Sequence, residues 1–157
     1  MEQTAYRARA ATLADADVLV HHRLAMFSDM GITFDRDRLA AAFRAWLEDV
    51  MPAGVYRAWV VEDAARGVIS GGGISLIPWP PGPRYFGNRL AFVYNVYTEP
   101  AFRGRGLARL VMAAIHDWCR AEGISSLALN ASTFGKPLYD SLGYVVTPSP
   151  MMFFALE

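Results

Sequence analysis

Asn95 to Ala108 reads N-V-Y-T-E-P-A-F-R-G-R-G-L-A, and its residue types suit the holding of an anion. Pro100 has no N–H to give a ladder, so it stops a strand. Gly104 and Gly106 open backbone conformations closed to other residues. Several amides can then converge on one spot, as the free N–H groups of a helix start do. Such a spot favours a phosphate, and Arg103 and Arg105 add charge that does not titrate away. The spacing fits a diphosphate-binding turn running into a helix at Leu107 and Ala108. A plain Gly-capped loop with solvated arginines fits the same spacing.

The other reactive residue types are sparse. Cys119 is the one cysteine, so an intramolecular disulfide is excluded. Its place beside Trp118 in a helical pattern reads as a small core residue. His21 and His22 are adjacent on a helix and diverge by about 100°, which suits surface positions better than a shared metal. No metal-ligating set is expected. His116 and Asp117 fall on a solvated helix side.

The elements that must position these residues follow from the apolar pattern. The chain has 157 residues and 54% hydrophobic content, enough for one domain spanning 1–157 with a real core. Its formal net charge is zero, which gives no footprint for nucleic acid or an anionic membrane. The N-terminus lacks the apolar core of a signal peptide, and no apolar run reaches about 18 residues. The expectation is a soluble, cytoplasmic protein.

Tyr6 to Ala10 reads as a first strand, and Thr12 with Asp15 as a helix cap. That helix ends near Met30-Gly31, and a second runs from Asp35 to Val50. Tyr56–Glu62 and Val68–Ile77 form a hairpin, with Gly71-Gly72-Gly73 marking a bulge or the close approach of another group. Pro78 to Asn88 is a loop, and Leu90–Tyr97 is the central strand. A helix from Gly106 to Glu122, a strand at Ser126–Asn130 and a helix at Gly135–Leu142 follow. Tyr144–Val146 and Met151–Leu156 read as closing strands. The order β-α-α-β-β-β-α-β-α-β-β implies a mixed α/β sheet with helices on its faces.

Arg103-Gly104-Arg105-Gly106-Leu107-Ala108 fits (Q/R)-x-x-G-x-(G/A), and the chain thereby resembles the GCN5-related N-acetyltransferase (GNAT) superfamily. The strand leading into it, the helix after it and Leu129–Tyr144 with its L-Y-x-x-x-G-Y ending match in the same order. Rival phosphate motifs fail, since Arg109 stands where a dinucleotide fingerprint needs Gly and Pro137 follows Lys136. The resemblance implies a GNAT-like fold, with a twisted mixed sheet of about six to seven strands, about four helices and splayed central strands.

It further implies acetyl transfer from acetyl-CoA (coenzyme A) to a primary amine of a small molecule or peptide. Arg103 to Ala108 would cradle the diphosphate. Asn95, Val96 and Tyr97 would lie along the pantetheine arm, with Leu129 and Asn130 across the gap from them, and Ser132 and Lys136 would also bind the cofactor. Tyr139 would protonate the departing thiolate. The acceptor wall would include Phe27, Met30, Phe34, Trp79, Tyr85 and Phe86, with Asp29 or Asp35 holding a cationic amine. No base is assigned, Glu99 being the nearest carboxylate in sequence. The other reading is a non-catalytic acyl-CoA sensor, which has no use for Tyr139. Met151–Leu156 is apolar enough to pair two copies as a homodimer, or to be core.

Overall fold

The computed structural model describes residues 5–156. A strand β1 (Ala8–Ala10) leads into a reciprocal cap. The Thr12 hydroxyl accepts from the Ala14 amide, and Asp15 accepts from the Thr12 amide. Helix α1 (Ala16–Asp29) continues from this turn, and Asp35 caps α2 (Arg36–Val50). Then come β2 (Tyr56–Asp63), β3 (Gly67–Pro78), β4 (Arg89–Thr98), α3 (Leu107–Ala121), β5 (Leu127–Leu129) and α4 (Lys136–Ser141).

The strands lie side by side in chain order. β1 to β4 are antiparallel neighbours, and β5 joins β4 in parallel. The sheet separates two cores. Leu19, Val20 and Leu24 of α1 and Phe43 and Leu47 of α2 pack with Tyr56 and Val60 on one face. Val111, Met112 and Ile115 of α3 pack with Val61, Ile69, Ile74 and Val93 on the other. Val60 and Val61 enter opposite cores because successive side chains of a strand alternate faces.

One irregularity breaks that alternation in β4. Gly73 pairs with Tyr94 and Gly71 with Tyr97, so Asn95 and Val96 stand opposite Gly72 alone. This two-against-one count is a β-bulge. Tyr94 packs on the α2 side, Val96 packs on the α3 side, and Asn95 returns to the α1 side. Asn95 accommodates the turn with φ at +61°. The glycine run opposite it serves a close approach. A Cβ on Gly73 would overlap the Tyr56 hydroxyl.

The sheet has five strands among the described residues, where six to seven are expected from the sequence. The expected strands Tyr144–Val146 and Met151–Leu156 do not form. Tyr144 packs back on His116 and Tyr139. Beyond it Val145 and Met151 to Phe154 are exposed, Phe153 by 92%. Pro148 and Pro150 lack the amide donors that a ladder between them would use. His22 also departs from the surface position read for it. It is 1% exposed, directed inward on α1 against Tyr97 and Gly71, whereas His21 stays exposed.

Candidate active site

The turn before α3 holds a series of unpaired donors. Gly104 and Gly106 both take φ of +77°, and Gly106 caps α3 in the left-handed region. The Arg103 amide still bonds Pro100, and the Leu110 amide is the first to bond back within the helix. From Gly104 to Arg109 the amides find no acceptor among the described residues. They sit at the positive end of the α3 dipole, which adds to their pull on an anion. Leu107 is buried and anchors this first turn, and Ala108 is half-buried behind it.

The two arginines of the turn are placed differently. Arg103 bonds the Thr98 carbonyl through Nε at 2.9 Å and the Asp29 carboxylate through Nη2 at 2.6 Å. Its guanidinium also lies over the rings of Tyr97 and Phe134. Arg103 thus ties the end of α1 to the turn. Arg105 is exposed and stacks on Phe102.

Beside the turn, β4 is left open. β5 pairs only Ala91 to Val93. From Tyr94 to Thr98 the same edge of β4 has no strand beside it among the described residues. The separation starts at the bulge, so Asn95, Val96 and Tyr97 border a gap into which an extended amide chain could pair. On the far side, Asn130 is exposed with its Nδ2 3.8 Å from the Met151 sulfur. The Ser132 hydroxyl accepts from the Gly135 amide, and Lys136 pairs with Asp140 at 2.7 Å.

Tyr139 on α4 is 9% exposed and belongs to the core under α3. Its ring edge faces Tyr144. Burial pushes its phenol above the ordinary range, so it keeps its proton at neutral pH.

The residues read as an acceptor wall divide between two places. Phe27 packs edge-on to Phe34 near the end of α1, with Met30 half exposed beyond it. Asp29 is engaged by Arg103, and Asp35 caps α2. Trp79 and Tyr85 sit in the 79–88 loop at the start of β4, six residues or about 20 Å of strand from Asn95. The Tyr85 hydroxyl accepts from the Arg89 amide there, and Phe86 is 84% exposed.

Two sets of partners escaped the sequence reading, those of the bulge residue Asn95 and those of Glu99 just beyond it. The Asn95 amide receives Arg23 Nη1 at 2.7 Å and donates to the Tyr56 hydroxyl at 2.9 Å. Arg23 lies over Phe27 and Phe43, its guanidinium 4.8 and 5.2 Å from their ring centres. The signal was a charged residue inside an apolar stripe, since Arg23 sits between Val20, Leu24 and Phe27 on α1. The second is Glu99, which His21 meets at 2.8 Å and His22 approaches at 3.6 Å. Desolvation and His21 nonetheless hold the His22 imidazole down near about 4.

This geometry has counterparts. A GCN5-related N-acetyltransferase from Ralstonia eutropha superposes with a TM-score of 0.84 at 29% identity, over 96% of this chain and 99% of that one. A predicted acetyltransferase from Clostridium acetobutylicum, solved with acetyl-CoA, has the same fold with a TM-score of 0.86 at 24% identity over 96% of each chain. A [ribosomal protein bS18]-alanine N-acetyltransferase of Haemophilus ducreyi is 35% identical over 57 residues, covering 34% of this chain and 39% of that enzyme's length. The family model described as Acetyltransferase (GNAT) family matches residues 21–144. With that match over most of its length, on top of the open β4 edge and the free amides before α3, the chain belongs to the GNAT acetyltransferase family.

Proposed function

We propose that the chain moves an acetyl group from acetyl-CoA to a primary amine of a small molecule or peptide. The observation that carries this reading is the run of acceptor-less amides from Gly104 to Arg109 beside the unpaired edge of β4. Those donors suit a diphosphate, and the open edge suits an amide-bearing arm, so the residues present fit the cofactor. Family membership and the acetyl-CoA held by the Clostridium acetobutylicum structure support the donor. The Haemophilus ducreyi relative, named for its action on an alanine, supports an amine acceptor.

When bound, acetyl-CoA supplies the thioester carbonyl that the amine attacks. The amides of Gly104 to Ala108 would hold the diphosphate, and Arg105, exposed and paired with no carboxylate among the described residues, would add charge. Asn95, Val96 and Tyr97 line one side of the arm, and Asn130, Ser132 and Lys136 border the other. The Val96 N–H donates to the carbonyl oxygen as charge builds there. A new C–N bond forms and the C–S bond breaks. Tyr139 gives its phenolic proton to the departing sulfur, and burial keeps that proton available at neutral pH. The proton lost by the amine passes to water, and solvent returns one to the Tyr139 phenolate, so protons balance over the cycle.

The testing experiment is a thiol-release screen with acetyl-CoA over amino acids, polyamines, aminoglycosides and peptide N-termini. Release with at least one amine supports the reading. Tight acetyl-CoA binding with no release from any amine replaces it with a sensor.

A further inference from the structure

We propose that Arg103 and Phe134 form a clasp across the open gap beside β4, and that this clasp holds the pantetheine arm of acetyl-CoA rather than its diphosphate. The proposal rests on the acetyl-CoA reading above and assigns two positioning residues to it.

The two ends of the clasp come from opposite sides of the gap. On the near side, Tyr97 borders the edge of β4 that β5 leaves unpaired beyond Val93. On the far side, the chain leaves β5 at Leu129 and turns before entering α4 at Lys136. Ser132 builds that turn, its carbonyl accepting from the Lys136 amide and its hydroxyl from the Gly135 amide. Phe134 lies within the turn and is 80% exposed. The Arg103 guanidinium reaches both sides. Its central carbon is 5.4 Å from the middle of the Tyr97 ring and 5.5 Å from that of Phe134.

The donors of Arg103 are engaged within the chain. Nε donates to the Thr98 carbonyl at 2.9 Å, and Nη2 to the Asp29 carboxylate at 2.6 Å. Asp29 thus already balances the charge that a diphosphate would use, and the pair of bonds fixes the plane of the group. A planar guanidinium so held attracts aromatic rings. Arg105, exposed and with no carboxylate partner among the described residues, is the better placed of the two for the anion.

A single exposed phenylalanine is common on a protein surface. The position of Phe134 is what gives it a role. It is linked to Tyr97 through Arg103 over the stretch where an amide-bearing arm can pair with β4. The pantetheine arm carries methylene and methyl groups between its amides, and a ring drawn over the gap removes them from water. The arm then leaves only after the contact between Arg103 and Phe134 opens, so the clasp acts chiefly on the rate of release.

The test uses the full chain, with acetyl-CoA affinity from calorimetry and its release rate from stopped flow. F134A should weaken acetyl-CoA about five-fold, mainly through faster release, and F134W should restore it. Because Phe134 is exposed, F134A without cofactor should melt as the wild type does. R103M should weaken acetyl-CoA about ten-fold, and F134A added to R103M should cost nothing further, since the ring acts through the guanidinium. The phosphoadenosine diphosphate half of coenzyme A has no arm, and F134A should leave its affinity unchanged. Wild-type acetyl-CoA affinity in F134A would overturn the clasp. So would additive effects of the two substitutions, a loss that F134W does not restore, or an equal loss for the armless nucleotide. A wild-type chain that binds no acetyl-CoA removes the cofactor reading and the clasp with it, whereas wild-type binding untouched by F134A removes the clasp alone.

Discussion

The Nδ2 group of Asn95 donates to the Tyr56 hydroxyl across 2.9 Å, joining the bulge of β4 to the core of the α1–α2 face. Tyr56 is 2% exposed, and burial pushes its phenol up to about 12. The bond matters because both partners would otherwise be buried and unsatisfied. Tyr56→Phe leaves Nδ2 without an acceptor and should cost about 1–3 kcal/mol in urea unfolding. Asn95→Ala removes the same bond and also leaves a Cβ residue at positive φ without a side-chain anchor. It should cost more, by about a further 1–2 kcal/mol. The double variant should fall short of the sum by about 1 kcal/mol. Strict additivity would mean that the two residues act independently.

Tyr139 offers a sharper kinetic prediction. Its ring fills the core under α3, so Tyr139→Phe keeps the packing and removes one hydroxyl. If that hydroxyl protonates the leaving sulfur, kcat should fall about ten-fold or more, with acetyl-CoA affinity nearly unchanged. Measurement of both constants separates the step from binding. An unaltered kcat removes Tyr139 from the mechanism.

The two layers of the fold were legible because their signals are local. The Thr12–Asp15 cap, the stripe Leu107–Val111–Ile115 and the glycines of the α3 turn declare themselves by type and spacing. What stayed hidden depends on partners distant in sequence. Three glycines in β3 announce a close approach, but nothing in them names Tyr56 as the group that arrives. A histidine pair on a helix does not say which member the sheet covers, and here it is His22. Asn95 reads as a strand residue until the register with Gly71 and Gly73 forces the bulge. The apolar run Met151–Leu156 is compatible with a strand, yet a strand needs a neighbour, and the segment has none within the described chain.

Gly106 tests the cradle without testing the fold. A Cβ at this position meets no atom within 4 Å, so a side chain there projects into open space. The backbone at φ of +77° resists any L side chain by about 1–2 kcal/mol, which a folded domain survives. Gly106→Glu brings a carboxylate to the acceptor-less amides and repels a diphosphate from them. Calorimetry should find no acetyl-CoA binding while circular dichroism keeps its native form. Binding retained at wild-type affinity would move the cradle elsewhere.

His22 makes the stability of the chain depend on pH. It is buried against Tyr97 and Gly71, with His21 and Glu99 the titratable groups facing it, and desolvation lowers its folded-state value from 6.5 to about 4. Between those values the unfolded chain takes up a proton at His22 and the folded chain does not. Stability is therefore full above pH 6.5, falls as pH drops toward 4, and gains no further loss from this group below that. The shift corresponds to a loss on the order of 3 kcal/mol. Asp15, lowered chiefly by its bond from Arg9, acts in a separate window, losing its contribution only below its ordinary value of 3.8. Urea titrations at pH 7, 5 and 3.5 should thus show a decline from 7 to 5 that His22→Gln flattens. The remaining acid decline should persist in that variant. The same slope in both proteins would assign the upper window to another group.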